Sequence, residues 1–253
     1  MRKEKQLKLF GLIGRNIDYS FSKKYFSKKF KKNNLNDCIY SNYDLKEVGD
    51  FKKLINTYSN LKGLNVTIPY KKIIIPFLDE LSEEAKAIKA VNTIVFESSG
   101  KIIGHNTDHL GFKKALEEQF KLTPENALIL GSGGASEAIK YVFKKIGCNF
   151  KVVSRFPSSD QLGYDQLSKK IMRKTDIIVN ASPIGTYPNI LEAPNIPYKY
   201  LDTKNSLFDL IYNPKETEFL KKGKFYGSKT SNGFKMLKYQ AEESWKLWSF
   251  SEI

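Results

Sequence analysis

The sequence has 253 residues, of which 41% are hydrophobic and 13% aromatic, enough for one large domain or two modest ones with a sizeable core. No apolar run approaches the ~18 residues of a membrane span, and the charged start of the chain leads into an apolar run too short for a signal peptide. Cys38 and Cys148 lie far apart without metal-ligand spacing. We therefore expect a cytoplasmic protein with two reduced thiols, no metal and no membrane association.

The formal net charge of +15 is the feature that most favours a nucleic-acid partner. Only four of the 42 basic residues are arginine, however, and the lysines are spread over most predicted helices. Because arginine is the residue that reads base edges and binds phosphates in pairs of hydrogen bonds, we expect no nucleic acid. A nucleic-acid-binding role stays the least favoured alternative, and dispersed lysine would instead help to attract small anionic substrates.

Strands and helices alternate in the first part of the chain. The predicted strands are Lys8–Ile13, Cys38–Leu45 and Leu61–Pro69, with a helix after each of the first two, the second helix covering Lys46–Tyr58. This β-α-β-α-β order predicts a mostly parallel sheet. A short helix, Leu81–Lys89, and a hairpin formed by Thr93–Glu97 and Lys101–His105 are expected next.

A hydroxyl-rich loop, 15–22, joins the first strand to a helix whose apolar face carries Tyr25, Phe26 and Phe30. Ser22 is predicted to be the N-cap of this helix. A strand end, a hydroxyl-rich loop and a helix N-terminus together favour a bound anion, because the free N–H groups and the helix dipole both attract negative charge. Taken alone, Ser20 and Ser22 are more often simple helix caps.

The segment Asn65–Lys71 reads Asn-Val-Thr-Ile-Pro-Tyr-Lys and ends the third strand. Pro69 cannot continue a sheet ladder, so the chain must turn here. The turn presents the Thr67 hydroxyl and the Lys71 ammonium at the end of a rigid element, where functional groups commonly lie. A solvated lysine after an ordinary strand is the alternative that these seven residues leave open.

Two further polar residues lie on predicted helices. Asp108 begins a helix, where a carboxylate is also a good N-cap. Gln240 lies on the apolar face of a helix that runs from Gly233 to about Trp248. Each has a purely structural explanation, a cap for Asp108 and a hydrogen-bonded core amide for Gln240.

A second unit begins after Thr123-Pro124, where the proline interrupts regular secondary structure. Its first strand, Ala127–Leu130, leads directly into the glycine-rich loop Gly131–Ser136 and then into the helix Glu137–Ile146. Glycines let the backbone turn tightly and approach a pyrophosphate, whose charge the helix N-terminus favours. A strand before the loop and a helix after it are the context that this motif requires.

The next strand, Phe150–Val153, ends in Ser154-Arg155. An acidic residue near this position would bind the ribose hydroxyls of NAD, whereas arginine suits the 2′-phosphate of NADP. A surface charge is the alternative for Arg155.

The remaining predicted elements continue the pattern. They are the strands Asp176–Val179 and Ser206–Leu210, the helix Thr217–Lys222 and a short strand Lys224–Tyr226. Glycine, serine, asparagine or proline follows one strand end after another, and ligands of open parallel sheets bind at these carboxyl ends.

These motifs, in this order, resemble the shikimate dehydrogenase family from Gly11 to Gln240. The matching segments are Tyr19–Ser22, Asn65–Lys71, Val91–Thr93, Asn106–Asp108, the glycine loop Gly131–Ala135, Asp209–Pro214 and Gly233–Leu237 with Gln240. Each is common by itself, but seven in register are very specific.

The resemblance implies a role for each matched residue. For the substrate, the resemblance implies that its carboxylate is bound by Ser20, Ser22 and Thr67. Its hydroxyls would be bound by Asn92, Asp108, Lys71 and Gln240, with Tyr212 nearby. For catalysis, it implies Lys71 as general acid/base and Asp108 as its partner. For the NADP phosphates, it implies Gly131, Ser132, Gly133, Gly134, Ala135, Ser154 and Arg155. For the nicotinamide, it implies Leu210, Gly233 and Met236, and Glu83 is also expected to face the cofactor.

The implied chemistry suits these residue types. Reducing a ketone by hydride transfer builds negative charge on oxygen, and a nearby ammonium such as that of Lys71 can stabilise this charge and donate the proton. A ring with a carboxylate and several hydroxyls needs an anion site and several polar contacts, which the hydroxyl and amide side chains supply.

Three positions depart from the family pattern. The usual histidine before the first serine is Tyr19, which can also donate a hydrogen bond. The usual Asn-Arg-Thr is Ser154-Arg155-Phe156, which keeps the arginine but loses one hydroxyl contact to phosphate and makes the NADP preference less secure. The chain also ends soon after its last predicted helix, which is expected to leave that helix less covered.

We therefore expect an α/β protein of two domains with a cleft between them. Residues 1–106 with 232–253 would form an N-terminal α/β substrate domain, and residues 107–231 a Rossmann-like NADP-binding domain. The expected function is NADPH-dependent reduction of 3-dehydroshikimate to shikimate, by a monomer or homodimer. The alternatives are a quinate/shikimate dehydrogenase that uses NAD, and a non-catalytic ligand-sensing member of the same fold.

Overall fold

The computed structural model describes residues 7–18, 20–121 and 123–250, and of Phe250 the backbone alone. The chain divides into two compact units, with divisions between Thr107 and Asp108 and between Gln240 and Ala241. Within the described ranges, no helix is both long and apolar enough to cross a membrane. The same ranges hold no group of three or more histidine, cysteine, aspartate or glutamate residues that could bind a metal.

The first unit is built on a six-stranded mixed sheet. Its elements are β1 (Lys8–Gly14), α1 (Phe21–Lys32), β2 (Cys38–Asp44), α2 (Asp50–Thr57), β3 (Leu61–Val66), β4 (Glu80–Leu81), α3 (Glu83–Ile88), β5 (Thr93–Phe96) and β6 (Ile102–His105). The strand order is β2-β1-β3-β5-β6-β4. β1 is parallel to β2 and β3, and β5 is antiparallel to β3 and β6. The predicted parallel core and the predicted hairpin are both confirmed.

The second unit is built on a fully parallel five-stranded sheet. Its elements are α4 (Asp108–Phe120), β7 (Asn126–Leu130), α5 (Gly134–Lys145), β8 (Asn149–Val153), α6 (Lys169–Lys174), β9 (Ile177–Asn180), β10 (Ser206–Asp209), α7 (Glu218–Phe225), β11 (Lys229–Ser231) and α8 (Phe234–Phe250), the last of which crosses the second division. The strand order is β11-β10-β9-β7-β8. Its central strands are apolar and buried throughout, as helices on both faces of a parallel sheet require.

The end of α8 supplies the largest buried side chain of the first unit, Trp248. Its ring packs with Phe10, Phe26 and Tyr40, and its indole N–H donates to the carbonyl oxygen of Ile94 at 3.0 Å. A Cβ atom at Gly63 would overlap this ring, so a glycine in β3 makes room for the indole. The buried N–H is thus satisfied, as a tryptophan in a core needs.

The short strand predicted at Lys224–Tyr226 is wrong. The helix α7 includes Lys224 and Phe225, and the last strand is β11, three residues further on. The aromatic pair Phe225–Tyr226 favours a strand by propensity. In the fold the helix is capped by Thr217 and buries Phe219 and Leu220, while Phe225 is 82% exposed at its end.

Candidate active site and cofactor site

The carboxyl ends of β1 and β3 are joined by backbone hydrogen bonds in the first unit. The N–H of Thr67 donates to the carbonyl oxygen of Ile13 at 2.9 Å, and the N–H of Arg15 donates to that of Ile68 at 3.1 Å. The hydroxyl-rich loop after β1 and the segment after β3 therefore lie side by side. β3 ends at Val66, three residues before the Pro69 to which the predicted strand extended, and the Ile68–Pro69 peptide bond is cis.

Lys71 is held next to Asn92 through the backbone. The carbonyl oxygen of Lys71 accepts from the N–H of Val91 at 2.7 Å, and the N–H of Val66 donates to the carbonyl oxygen of Asn92 at 2.8 Å. Lys71 is half-buried and Asn92 is buried. The structure thus brings the backbones of Thr67, Lys71 and Asn92 together at one edge of the sheet.

The N-cap of α1 is Ser20, so the prediction that Ser22 caps this helix is wrong. Ser20 has extended backbone angles, and its hydroxyl oxygen accepts from the N–H of Ser22 at 3.2 Å. Two serines spaced by one residue offer two possible starts, and the helix uses the first because Phe21 already has helical geometry. Ser22 is buried in the first turn. Tyr19, the departure from the family pattern, lies outside the described residues.

Ser22 hydrogen-bonds to the hydroxyl of Tyr40, which is fully buried. Burial raises the pKa of Tyr40 well above its usual value, and the hydrogen bond with Ser22 opposes this rise. The phenol therefore stays neutral and donates to Oδ1 of Asn65 at 2.8 Å. Asn65 is the first residue of the segment that carries Thr67 and Lys71.

A buried set of amide and hydroxyl groups, here named the Ser244 network, includes the predicted substrate residue Asn92. Its members are Tyr40, Asn65, Asn92, Thr93, Thr107 and Ser244. The Ser244 hydroxyl lies 2.9 Å from Nδ2 of Asn65, 2.8 Å from Oγ1 of Thr93 and 3.1 Å from Oγ1 of Thr107. All six side chains are buried, so these bonds satisfy groups that would otherwise be costly to desolvate.

The carboxamide of Asn92 is fixed within this network. Its Nδ2 donates to Oγ1 of Thr107 at 3.0 Å, and its Oδ1 accepts from the N–H of Thr107 at 2.6 Å. Thr107 directly precedes Asp108. Ser244 and Asn65 were not predicted as site residues. The only signal for Ser244 in the sequence was its place one helical turn after Gln240.

Asp108, Gln240 and Tyr212 belong to the second unit. Asp108 begins α4, as predicted, and is buried. A Cβ atom at Gly111 of the same helix would lie 2.7 Å from the carbonyl oxygen of Met236, so α4 and α8 pack closely here. Gln240 is buried and donates to the carbonyl oxygen of Leu237 at 3.0 Å. Tyr212 is half-buried in the loop after β10.

The glycine loop between β7 and α5 has the geometry of a phosphate site. Gly131 has φ +108°, and a Cβ atom there would lie 3.2 Å from the backbone of Ala181 and Ser182. Gly133 occupies the N-cap position of α5, and a Cβ atom there would meet nothing within 4 Å. The loop therefore leaves open space at a helix N-terminus that has no side-chain cap. This space fits the phosphates of the predicted NADP.

A cavity of about 670 Å³ follows β8 in the same unit. It is lined by Ser154, Arg155, Pro157, Gly163, Tyr164, Asp165, Ile184, Glu192, Ala193 and Asn195. The Arg155 guanidinium is close enough to Tyr164 to lower the pKa of its phenol, against a larger rise caused by burial. The Ser154 hydroxyl accepts from the N–H of Phe156 at 3.3 Å. The cavity lies at the same edge of the sheet as the glycine loop, and its one arginine fits an extra phosphate.

The residues predicted to line the nicotinamide pocket also lie close together. The N–H of Leu210 donates to the carbonyl oxygen of Asn180 at 3.0 Å, and the N–H of Gly233 donates to that of Ile211 at 3.1 Å. A Cβ atom at Gly233 would overlap the carbonyl oxygen of Leu210, so only glycine allows this approach. Met236 follows in the first turn of α8 and is buried.

Glu83 belongs to the first unit. It begins α3, its side chain is 85% exposed, and it forms an ion pair of 2.7 Å with Lys86. Its assignment to the cofactor stays a prediction.

Known proteins match both the first unit and the chain as a whole. Residues 12–94 match the family model of the shikimate dehydrogenase substrate binding domain. A shikimate dehydrogenase (NADP(+)) from Methanococcus maripaludis is 39% identical, over 96% of this chain and 91% of that protein.

Two solved structures extend the similarity to the fold. A shikimate dehydrogenase in complex with NADP+ superposes with a TM-score of 0.86 at 34% identity, over 96% of this chain and 90% of that chain. The enzyme from Thermus thermophilus in complex with NADP(H) and shikimate superposes with a TM-score of 0.86 at 26% identity, over 96% of this chain and 94% of that chain.

Proposed function

Because this chain belongs to the shikimate dehydrogenase family, we propose that it is an NADP-dependent enzyme that reduces 3-dehydroshikimate to shikimate. The observation that carries the proposal is the joint placement of Thr67, Lys71 and Asn92 at the carboxyl edge of β1 and β3. This edge offers a cation, a hydroxyl and an amide to a small polyhydroxylated anion.

Lys71 is the proposed general acid. NADPH, when bound, would supply the hydride for reduction of the ketone. As negative charge builds on the carbonyl oxygen, the Lys71 ammonium stabilises it and donates a proton, and in the reverse direction the amine takes that proton back. Asp108, at the start of α4, is proposed as its partner, because a carboxylate favours the charged form of a lysine.

The remaining substrate contacts follow from the chemistry of the side chains. Ser20, Ser22 and Thr67 are proposed to bind the substrate carboxylate at the N-terminus of α1. Asn92, Tyr212 and Gln240 are proposed to bind its hydroxyls. We also propose that the first unit binds substrate and the second binds cofactor.

The cofactor would be held along the sheet edge of the second unit. The glycine loop and the N-terminus of α5 fit the pyrophosphate, and Arg155 with Ser154 fits the 2′-phosphate. Leu210, Gly233 and Met236 are proposed to line the nicotinamide pocket, and Glu83 stays a candidate contact.

The proposal also includes a pathway, a cellular compartment and an oligomeric state. Its reaction would be a step of the shikimate pathway, which leads to chorismate and the aromatic amino acids, in the cytoplasm and in a monomer or homodimer. Cys38 and Cys148 are both thiols, in keeping with a reducing compartment.

The test is a panel of substrates and cofactors with the purified chain. We expect NADPH oxidation with 3-dehydroshikimate, at a kcat/KM at least about tenfold higher than with NADH. Activity that prefers NAD and quinate would favour the quinate/shikimate dehydrogenase alternative. NADPH binding without turnover of either substrate would contradict an enzyme and favour the ligand sensor.

A further inference from the structure

Asp209 is a fully buried carboxyl group at the end of β10 that has no assigned role. Its Oδ1 accepts two hydrogen bonds, one from Nδ2 of Asn180 at 3.0 Å and one from the N–H of Ile211 at 3.0 Å. Its Oδ2 accepts from Oγ1 of Thr217 at 2.5 Å. A buried carboxyl with three donors is a fully satisfied polar group and restrains every segment that it contacts.

The two bonds to Oδ1 join two loops at the carboxyl edge of the sheet. Asn180 ends β9, and its own Oδ1 accepts from the N–H of Ser182 at 3.1 Å and from the Ser182 hydroxyl at 2.7 Å. Ile211 belongs to the loop after β10. One oxygen atom thus fixes the loop after β9 relative to the loop after β10.

These loops form the base of the proposed cofactor site. The loop after β10 carries Leu210, and the carbonyl oxygen of Ile211 accepts from the N–H of Gly233 at 3.1 Å. The loop after β9 packs against the glycine loop, because a Cβ atom at Gly131 would lie 3.2 Å from Ser182. A shift of either loop would therefore displace the nicotinamide lining relative to the phosphate loop.

We propose that Asp209 is a positioning residue that sets the distance between the nicotinamide-lining loop and the phosphate-binding loop through its Oδ1 atom. This inference rests on the proposed function. Thr217 bonds to the other oxygen and caps α7, so its contribution is to stability and not to the spacing of the loops.

Neither bond to Oδ1 requires a negative charge. Burial raises the pKa of Asp209 to about 7, and a protonated carboxyl would donate from Oδ2 to the Thr217 hydroxyl while Oδ1 still accepts from both loops. The amide of an Asp209→Asn variant can do the same. This variant is therefore the conservative replacement, and Asp209→Ala is the disruptive one.

The experiment compares four variants with the wild type: Asp209→Ala, Asn180→Ala, Asp209→Asn and Thr217→Val. It measures urea unfolding, the Kd of NADPH by fluorescence, and kcat and KM for both substrates. We expect Asp209→Ala and Asn180→Ala to raise the Kd and KM of NADPH about tenfold or more, because a small misplacement of binding groups is costly. The KM for the ketone substrate should rise less than that of NADPH, because among its proposed contacts only Tyr212 lies on the loop after β10 and the proposed carboxylate site is in the other unit.

The two remaining variants separate positioning from stability. Asp209→Asn should bind NADPH within about threefold of the wild type. Thr217→Val should unfold at a lower urea concentration, because it loses the helix cap and the hydrogen bond, yet leave the KM of NADPH unchanged.

Three outcomes would overturn the inference in an otherwise active enzyme. The first is an NADPH affinity in Asp209→Ala and Asn180→Ala no weaker than in Thr217→Val. The second is an equal rise in the KM of both substrates. The third is a stable Asp209→Asn variant that has lost NADPH binding. This outcome contradicts the positioning role even where the alanine variants do not fold. A wild type without NADPH turnover would instead contradict the proposed function.

Discussion

The carbonyl oxygen of Lys71 accepts a hydrogen bond of 2.7 Å from the N–H of Val91, the residue before Asn92. Lys71 follows the end of β3 by five residues, and Val91 precedes β5 by two. This bond fixes the backbone of the proposed general acid against the segment before β5 that carries a proposed substrate amide, Asn92. The long Lys71 side chain therefore starts from a fixed point, which reduces the reorganisation required for proton transfer.

The Ser244 network should make a measurable contribution to stability. Replacing Ser244 with alanine removes the hydroxyl that three buried groups share, and leaves Nδ2 of Asn65 without its best bond. We expect the free energy of unfolding to fall by about 1–3 kcal/mol, measured by urea denaturation. The matched control is Ser249→Ala on the same helix, whose exposed hydroxyl bonds to the carbonyl oxygen of Trp245 and should matter little. Equal stabilities for the two variants would contradict the network's role.

Two glycines of the phosphate loop should respond differently to alanine. Gly131→Ala should lower the free energy of unfolding by about 1–2 kcal/mol, because its φ of +108° is unfavourable for a residue with a Cβ atom. Gly133→Ala should leave stability unchanged, because its Cβ atom would meet nothing within 4 Å. The same Cβ atom would enter the space proposed for phosphate, so the Kd of NADPH should rise about tenfold. Unchanged NADPH binding in Gly133→Ala would place the phosphates elsewhere.

Arg155 should determine the preference for NADPH. Removing its charge with Arg155→Gln should lower kcat/KM for NADPH about 10- to 100-fold, in line with the loss of charged hydrogen bonds to a phosphate. Activity with NADH should change little, because NADH lacks the 2′-phosphate. Arg173→Gln is the control, since Arg173 is an exposed arginine on α6. A parallel loss with both cofactors would show that Arg155 does not read the 2′-phosphate.

The raised pKa of Asp209 predicts a specific dependence of stability on pH. Burial raises this pKa from 3.8 to about 7, so between these values the folded state binds more protons than the unfolded state. The contribution of Asp209 to stability should therefore be fully present below about pH 4 and decrease as the pH rises toward 7. Urea unfolding of the wild type and of Asp209→Asn should give a difference that changes over this range, because the amide does not titrate. A constant difference would contradict the raised pKa.

Local patterns predicted much of this fold and site. Strand ends followed by glycine, serine or proline located the segments after β1, β3 and β7, because the signals for a strand end and for a helix start are short-range. The choice between Ser20 and Ser22 as cap was missed, since both positions satisfy the same local rule. The partners of Ser244 and Asp209 lie up to 179 residues away in sequence, so only the folded topology reveals that these side chains are satisfied polar groups at a site.

Lys71 is the proposed general acid of an NADPH-dependent reduction. The most direct measurement is the turnover of 3-dehydroshikimate with NADPH by Lys71→Met, with Lys72→Met as the matched control on an exposed neighbour. We expect kcat to fall about 10²- to 10⁴-fold in Lys71→Met, while NADPH still binds and Lys72→Met stays active. Near-normal turnover by a folded Lys71→Met enzyme would contradict this role.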